Sequence, residues 1–145
     1  MEVASFIEKA VVLMLLLFFT MTMFGEGIEF RKRRYVKITN NLDGNFAITL
    51  HCRSKDDDLG VQHLGRNGSF EFNFIPSLFP RITLFFCSFQ WGKDFHHFDV
   101  YNDVRDDDVC GNCWWSVREY GHICRFNFNT KQYDECFPWN NNAIN

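Results

Sequence analysis

The sequence predicts an all-β protein, a small antiparallel β-sandwich of about seven to eight strands that is stapled by disulfides and preceded by a signal peptide. Short segments of alternating apolar and polar residues, with turn signals about every 8 to 12 residues, are typical of such a sandwich. All six cysteines follow an N-terminal apolar run. No later stretch sustains a helical apolar repeat. At 145 residues, the chain has room for one domain.

The N-terminal segment, residues 1–27, is predicted to be a signal peptide, which leaves a mature domain of residues 28–145. Val11 to Phe19 form an unbroken apolar run that suits a signal peptide, whereas a membrane-spanning helix needs about 20 apolar residues. Small residues after the run supply cleavage points near Ile28. The acidic residues before the run are atypical of a signal peptide, and a single membrane anchor is the alternative interpretation.

The charge balance argues against a nucleic-acid binder. Removing residues 1–27 reduces the 15 basic and 18 acidic residues to 14 and 15, so the net charge changes from −3 to −1. A near-neutral domain lacks the electrostatic signature of nucleic-acid binding. The basic run Arg31-Lys32-Arg33-Arg34 is interpreted as a solvated, frayed end, with contact to acidic surfaces or proteolytic processing as alternatives.

Two alternating segments at the start of the domain predict a β-hairpin. Tyr35 to Asn40 alternates Val36 and Ile38 with polar residues, and Phe46 to Cys52 alternates again. Asp43-Gly44 lies between them and supplies the positive φ of a tight turn.

Further strands follow along the chain. Phe70, Phe72 and Phe74 alternate with polar residues, and Ile82 to Phe89 is apolar enough for a central strand buried on both faces. Pro76 and Pro80 bracket a loop between these two strands, because proline cannot donate to an internal ladder. Weaker patterns predict strands at Phe95 to Tyr101, Trp114 to Tyr120 and Arg125 to Phe128, before a short cysteine-bearing tail. The 18 phenylalanines of the chain include bulky side chains for the core.

The cysteines and one sequon indicate a secreted protein. An even number of cysteines in a small domain predicts a disulfide framework, formed by Cys52, Cys87, Cys110, Cys113, Cys124 and Cys136. The residues alone do not select among the pairings. Asn67-Gly68-Ser69 is the only N-x-S/T sequon and falls in a turn-like stretch, so Asn67 is the predicted glycosylation site.

The acidic and cysteine-rich stretches are interpreted as structural. HCRSKDDDLG, residues 51 to 60, has three consecutive aspartates, but consecutive side chains of an extended segment point in opposite directions and lack the spacing of a calcium loop. Cys110-x-x-Cys113 with His122 and Cys124 resembles a zinc ligand set, but the secretory context favours disulfides. We therefore expect no metal and no cofactor.

Hydrolytic catalysis would need a nucleophile, a base and a group that orients the base. His96, His97 and Asp99 lie near a predicted strand, and Ser88 and Ser116 are available hydroxyls, but no nucleophile motif frames any of them. The sequence therefore predicts no catalytic residues and no small-molecule substrate.

Five motifs are similar to those of a known family. They are VKITNNL (Val36 to Leu42), HCRSKDDDLG (His51 to Gly60), TLFFCSFQW (Thr83 to Trp91), CGNCWWSV (Cys110 to Val117) and YDECFPWN (Tyr133 to Asn140). By their order and spacing, the chain resembles the plant self-incompatibility S1 proteins and their S-protein homologues over essentially the whole mature domain. The resemblance implies a small, secreted plant protein with a β-sandwich fold and no enzymatic activity.

The resemblance also implies a partner. Family members act in pollen rejection as secreted ligands of a membrane protein, so a cell-surface receptor is the expected partner. A secreted defence protein or hydrolase acting on pathogens or wall polymers is the alternative. Members of the family often have fewer cysteines, which implies that Cys124 and Cys136 are the additional pair, while the pairing of the other four stays open.

Recognition is predicted to reside on loops, because strand residues are committed to the core. The longest polar connections run from Arg53 to Ser69 and from Asn102 to Asn112, and each contains three consecutive aspartates. The predicted receptor-facing surface consists of Asp103, Arg105, Asp106, Asp107 and Asp108. Asp56 to Asp58 are expected to form a more structural corner, paired locally with Arg53 or Lys55.

Overall fold

The computed structural model describes residues 1–23, 30–118 and 121–140 and divides the chain into two units, Met1–Phe30 and Arg31–Asn145. The first unit contains helix α1, Glu2–Met23. Within it, Glu2–Met21 has the length and the mean hydropathy, 2.1, of a membrane span, and a signal sequence meets the same criteria. The predicted cleavage near Ile28 lies outside the described residues, and the signal peptide stays a prediction.

The second unit is a two-layer β-sandwich with nine described strands and one short helix. The elements are β1 Arg34–Asn40, β2 Ile48–Arg53, β3 Asp58–Leu64, β4 Ser69–Phe74, β5 Leu84–Trp91, β6 Asp94–Asn102, α2 Asp103–Asp106, β7 Asn112–Val117, β8 His122–Asn127 and β9 Gln132–Pro138. Sheet A has the strand order β4-β1-β7-β8-β9, and sheet B has the order β3-β2-β5-β6. The predicted all-β sandwich is confirmed.

Two strands lie where the sequence predicted none. β3 is an edge strand in the segment predicted as a long polar loop, and Leu64 is its one fully buried residue. β9 is the other unexpected strand, in the predicted tail, and its half-buried positions include Glu135. Neither strand therefore shows a clean apolar alternation.

A further difference from the predicted antiparallel sandwich is that β1 and β7 pair in parallel, with Tyr35 opposite Asn112.

The predicted hairpin of Tyr35 to Asn40 with Phe46 to Cys52 is wrong, because the two segments belong to different sheets. β1 pairs with β4 and β7, whereas β2 pairs with β3 and β5. The chain crosses between the sheets at Asn40, which is fully buried and donates through Nδ2 to the carbonyls of Phe46 and Leu64 at 2.8 and 2.9 Å. Its Oδ1 accepts from the Leu42 amide at 3.1 Å. The Asn40 side chain thereby supplies hydrogen bonds to the connecting backbone, which has no hairpin partner at this point.

β5 is a central strand, as predicted, but it is buried on one face only. Phe85, Cys87, Phe89 and Trp91 point into the sandwich, while the alternate residues are half-buried or exposed. A sandwich has two layers, so the outer face of each sheet meets solvent. The run of apolar residues therefore did not indicate burial on both faces.

The core lies between the sheets, with Trp115 of β7 at its centre. Trp115 is fully buried, and its ring lies against Phe98 of β6 at 4.9 Å and Phe137 of β9 at 5.7 Å between ring centroids. Its indole Nε1 donates to the carbonyl of Val100 at 2.8 Å. This hydrogen bond joins sheet A to sheet B and satisfies the buried donor.

All six cysteines form disulfides, and none of the three bonds joins one sheet to the other. Cys52–Cys87 links β2 to β5, and Cys124–Cys136 links β8 to β9. Cys110–Cys113 closes the short connection that enters β7. The pair Cys124–Cys136 agrees with the expectation. Association of the two sheets thus depends on packing and polar contacts.

Replacing Asn40 by alanine should destabilise the sandwich by about 1–3 kcal/mol, because the buried carbonyls and amide that it satisfies lose their partner. Urea unfolding of the Asn40→Ala variant, followed by tryptophan fluorescence, measures the effect. Asn45→Ala is the control, since Asn45 is exposed in the same crossing and should change stability by no more than about 0.5 kcal/mol. Equal stability of the two variants would contradict the role assigned to Asn40.

Candidate recognition surface

Four connections lie at one end of the sandwich, which we call the loop end, and one of them is the β8–β9 turn, residues 128–131, because β8 runs antiparallel to β7 and ends where β7 begins. Residues 54–57 join β2 to β3, residues 75–83 join β4 to β5, and residues 103–111 join β6 to β7. Their common position follows from the register, because Arg53 lies opposite both Asp58 and Phe86, and Leu84 lies opposite Asn102. The loop end therefore contains all the residues predicted to face a receptor.

The segment predicted as a solvated acidic loop begins with the helical turn α2, Asp103–Asp106. Asn102 caps the turn, because its side-chain oxygen accepts from the Val104 amide at 2.9 Å. The turn directs Asp103 and Asp106 inward and leaves Val104 94% exposed. This geometry separates the acidic residues into buried and exposed sets.

Asp106 is a buried carboxylate with a complete set of hydrogen bonds. Its side chain is 0% exposed. Oδ1 accepts from Arg105 Nε and Arg125 Nη1, both at 2.7 Å, and Oδ2 accepts from Arg105 Nη2 at 2.7 Å and the Asn102 amide at 2.9 Å. Charge-assisted, bidentate contacts of this kind offset the cost of removing a carboxylate from water.

The two arginines that hold Asp106 also pack against core aromatic rings. The Arg105 guanidinium lies 5.0 Å from the Phe98 ring centroid and 5.2 Å from that of Trp115. The Arg125 guanidinium lies 5.4 Å from the Phe137 centroid. Because Arg125 belongs to β8 in sheet A and Asp106 follows β6 in sheet B, their ion pair connects the two sheets.

A second ion network fixes the outer side of α2. Arg31 forms a bidentate pair with Asp103, with distances of 2.9 and 3.0 Å, and contacts Asp107 Oδ1 at 2.5 Å. Arg34 donates to the side chain and the carbonyl of Asp107, each at 2.7 Å. The basic run was predicted as a frayed end, but two of its residues form fixed ion pairs. The side chains of Arg31 and Arg34 are largely buried in these pairs.

The environment of this second network shifts three pKa values. Burial raises the pKa of the Tyr101 hydroxyl well above its usual value, so that it stays protonated and donates to Asp103 at 3.0 Å. Burial by itself would raise the pKa of Asp103, but hydrogen bonds from Arg31, Thr83 and Tyr101 outweigh it and lower the pKa below 3.8. Burial is likewise outweighed at Asp107, where Arg34 and Arg31 lower the pKa.

These positions revise the predicted receptor-facing set. Asp106 has no exposed surface and Asp103 is buried, so neither carboxylate faces a partner in this structure. Arg105 and Asp107 are committed to ion pairs, while Asp108 is exposed. Whether the segment binds a partner stays a prediction, and its accessible part now centres on Asp108 with the exposed apolar side chains of Val104 and Val109.

Arg31, Arg34, Tyr101 and Arg125 were not predicted to belong to this site. Two sequence signals were available. Asp103 and Asp107 are four residues apart, a spacing that places both on one face of a helical turn. Arg125 is a cation next to Cys124 inside a strand, and a charge in that position requires a buried partner.

The other acidic corner contains a contact of Asp58 with His51 that was not predicted. Asp58 Oδ1 lies 2.6 Å from His51 Nε2, and Asp58 also accepts from the Gly60 amide. The hydrogen bond from His51 lowers the pKa of Asp58. The turn itself is capped by Ser54, whose Oγ accepts from the amides of Asp56 and Asp57. Arg53 lies directly opposite Asp58 in the register, and its charge also contributes to the lowered pKa of Asp58.

The side chains considered for catalysis form no set of nucleophile, base and orienting group in the described residues, although Ser88 lies opposite His97 in the register. His96 stacks on Trp139 inside the sandwich, whereas His97 contacts Phe95 on the outer face, so the two histidines lie on opposite faces as expected. Ser116 is buried and donates to Asn41 at 2.8 Å. Across the described residues, no three His, Cys, Asp or Glu side chains are placed to hold a metal ion.

Asn67, the predicted glycosylation site, is exposed in the turn between β3 and β4, with a φ of 60°. Asparagine adopts this left-handed conformation more readily than most residues. The position offers room for a glycan, and glycosylation itself stays a prediction.

Comparisons with known proteins converge on one family. A family model described as "Plant self-incompatibility protein S1" matches residues 35–139. S-protein homolog 2 of Arabidopsis thaliana is 46% identical over 113 residues, which are 74% of this chain and 69% of that protein. S-protein homolog 29 of Arabidopsis thaliana is 40% identical over 130 residues, 90% of this chain and 94% of that protein.

A solved structure shares the fold. It belongs to the self-incompatibility protein homologues, described as a widespread family of small, highly stable, secreted proteins from plants. The TM-score is 0.53 at 24% sequence identity, and the match covers 75% of this chain and 96% of the other.

Replacing Asp106 by asparagine should lower the free energy of unfolding by about 3 kcal/mol, because Arg105 and Arg125 lose the buried carboxylate that they share, while Arg125 keeps its ion pair with Glu135 at 2.8 Å. Asparagine keeps the shape but removes the charge. Chemical unfolding measures the effect, with Asp108→Asn as the exposed control from the same run, expected to change stability by about 0.5 kcal/mol or less. A wild-type midpoint for Asp106→Asn would show that the buried charge is not needed.

Stability should fall as the pH drops below about 4, because protonation of Asp103 and Asp107 breaks their arginine pairs. Both carboxyls have folded-state pKa values below the ordinary 3.8, so their contribution is present above that pH and is lost as pH falls through the folded values. Thermal unfolding between pH 7 and 2 measures this loss. The Asp107→Asn variant should be less stable at pH 7 and lose less on acidification. An unchanged slope would exclude Asp107 as a source of the acid sensitivity.

Proposed function

The chain belongs to the plant self-incompatibility protein S1 family, and on this premise we propose that it is an extracellular recognition ligand that binds a cell-surface receptor. The observation that carries the proposal is a sandwich with three disulfides that presents four connections at one end. Loops on a rigid scaffold are the usual place for recognition, since binding then orders few residues. The protein is secreted in this proposal, in keeping with its family and with the apolar helix α1.

The ion networks support a recognition role for the loop end. They fix the backbone of 103–111 through Asp103, Asp106 and Asp107, so the exposed residues of that connection are held in one arrangement. Val104 and Val109 are accessible apolar groups of this connection, and Asp108 is an accessible charged group. A preorganised surface of this kind loses less entropy on binding than a flexible loop.

The alternative of a secreted hydrolase has no geometric support in the described residues. The His51–Asp58 pair lies on the outer face of sheet B, with Ser88 opposite His51 in the register. The structure places no hydrogen bond between Ser88 and that pair. A general base must reach the proton that it removes, and this pair does not do so here.

The test is saturable binding of the secreted, tagged product of the full-length chain to pollen and vegetative cells of the source plant. Replacing Asp108 by lysine should reduce the association rate by about three- to tenfold at low salt, because an exposed charge at an interface mainly steers encounter. The difference should shrink at high salt. Surface binding is measured by fluorescence over a range of protein concentrations.

Asp94→Lys is the matched control, since Asp94 is exposed at the opposite end of the sandwich. It should bind as the wild type does. Absence of saturable binding by the wild-type protein on every cell type would contradict the receptor-ligand function. Equal loss in both lysine variants would exclude the loop end as the specific site.

A further inference from the structure

The β4–β5 connection, residues 75–83, carries an unusual concentration of exposed apolar side chains. Phe79 is 87% exposed, Ile82 is 65% exposed and Ile75 is 59% exposed, and Leu78 adds a fourth exposed apolar side chain. Single exposed apolar residues are ordinary, but a contiguous cluster marks a surface that another molecule covers. We call residues 77–83 the apolar loop.

The base of the apolar loop is closed by hydrogen bonds. The Ser77 amide donates to Thr83 Oγ1 at 2.7 Å, and the Ile82 amide donates to the Pro80 carbonyl at 2.9 Å. Thr83 exchanges two hydrogen bonds with Asp103, and Arg31 donates to the Ser77 carbonyl at 2.5 Å. The second ion network therefore holds the loop as well as α2, so the exposed side chains are presented on a fixed base.

A groove with a volume of about 580 Å³ lies beside the apolar loop. Phe74, Phe85 and Leu84 contribute apolar surface to its lining, and Ile82 lines it from the loop. The opposite wall is the β2–β3 turn, which contributes one lysine and two aspartates. The apolar loop and the groove adjoin each other, because residues of the loop such as Ile82 also line the groove.

The charges of the β2–β3 turn indicate what the groove accepts. In the described part of the chain, neither Asp56 nor Asp57 forms an ion pair, whereas Asp58 pairs with His51. Lys55 leaves the wall with a formal charge of −1. An apolar floor with two carboxylates that form no ion pair in the described residues complements a segment in which an apolar side chain lies next to a basic one.

We propose that the apolar loop and the adjoining groove are the docking surface for a protein partner, which receives Phe79 in an apolar pocket and places an apolar-basic segment in the groove. This inference rests on the proposed function and specifies the chemistry of the partner. A protein fits better than a membrane, because the charged lining of the groove is Lys55, Asp56 and Asp57, and this wall of net negative charge complements a basic side chain but not an anionic lipid surface.

The test compares binding of secreted wild-type protein and a Phe79→Ser variant to intact cells of the source plant, to protease-treated cells and to vesicles of zwitterionic or anionic phospholipid. Phe79→Ser should weaken binding to intact cells at least about tenfold, since buried aromatic anchors dominate interfaces. An Asp56→Asn, Asp57→Asn double variant should bind more weakly and show less salt dependence. Melting temperatures of all variants should match the wild type, because every changed side chain is exposed.

Phe95→Ser is the matched control, since Phe95 is an exposed phenylalanine at the opposite end of the sandwich. It should bind as the wild type does. Wild-type binding retained by Phe79→Ser overturns this inference and leaves the receptor-ligand function standing, whereas a wild type that binds no cells overturns both. Binding that survives protease or transfers to vesicles assigns the surface to lipid, and self-association that Phe79→Ser abolishes assigns it to a second copy. Either result overturns the protein-partner inference.

Discussion

At the loop end, the association of the two sheets depends most on the ion pair between the buried Asp106 carboxylate and Arg125. The disulfides connect strands within a sheet or close a short connection, so none of them joins the layers. The Asp106 carboxylate accepts a hydrogen bond from Arg125 of sheet A, and Asp106 itself lies in α2, which directly follows β6 of sheet B. A buried charge is stable only when its partners are in place, so this contact also specifies how the sheets are aligned.

Electrostatics and packing act together around this carboxylate. Arg105 and Arg125 neutralise Asp106 and also lie against the rings of Trp115 and Phe137. The planar guanidinium can hydrogen-bond at its edge and stack on its face, which a lysine ammonium cannot do. One group of side chains thereby serves as core packing and as the support of the β6–β7 connection.

The loop end likewise contains buried side chains that fix its connections and exposed side chains that do not. Arg31 holds Asp103 and Asp107 and also the Ser77 carbonyl, so one side chain fixes two connections relative to each other. Residues that face inward give the connections their shape, and the exposed residues Phe79, Ile82 and Asp108 remain available for contact. The exposed set can therefore vary without disturbing the fold.

The sequence by itself determined the all-β class and the positions of most strands, because the alternation of apolar and polar residues reports local geometry. The number of cysteines indicated disulfides but not their partners, and the pairing of Cys124 with Cys136 was expected only from the resemblance to the family. The sequence did not determine that β1 and β2 lie in different sheets, since a turn signal such as Asp43-Gly44 does not show where the next strand pairs. Nor did three consecutive aspartates reveal which one is buried. Only the tertiary structure decided that, because it brought Arg31, Arg34 and Arg125 from distant parts of the chain to α2.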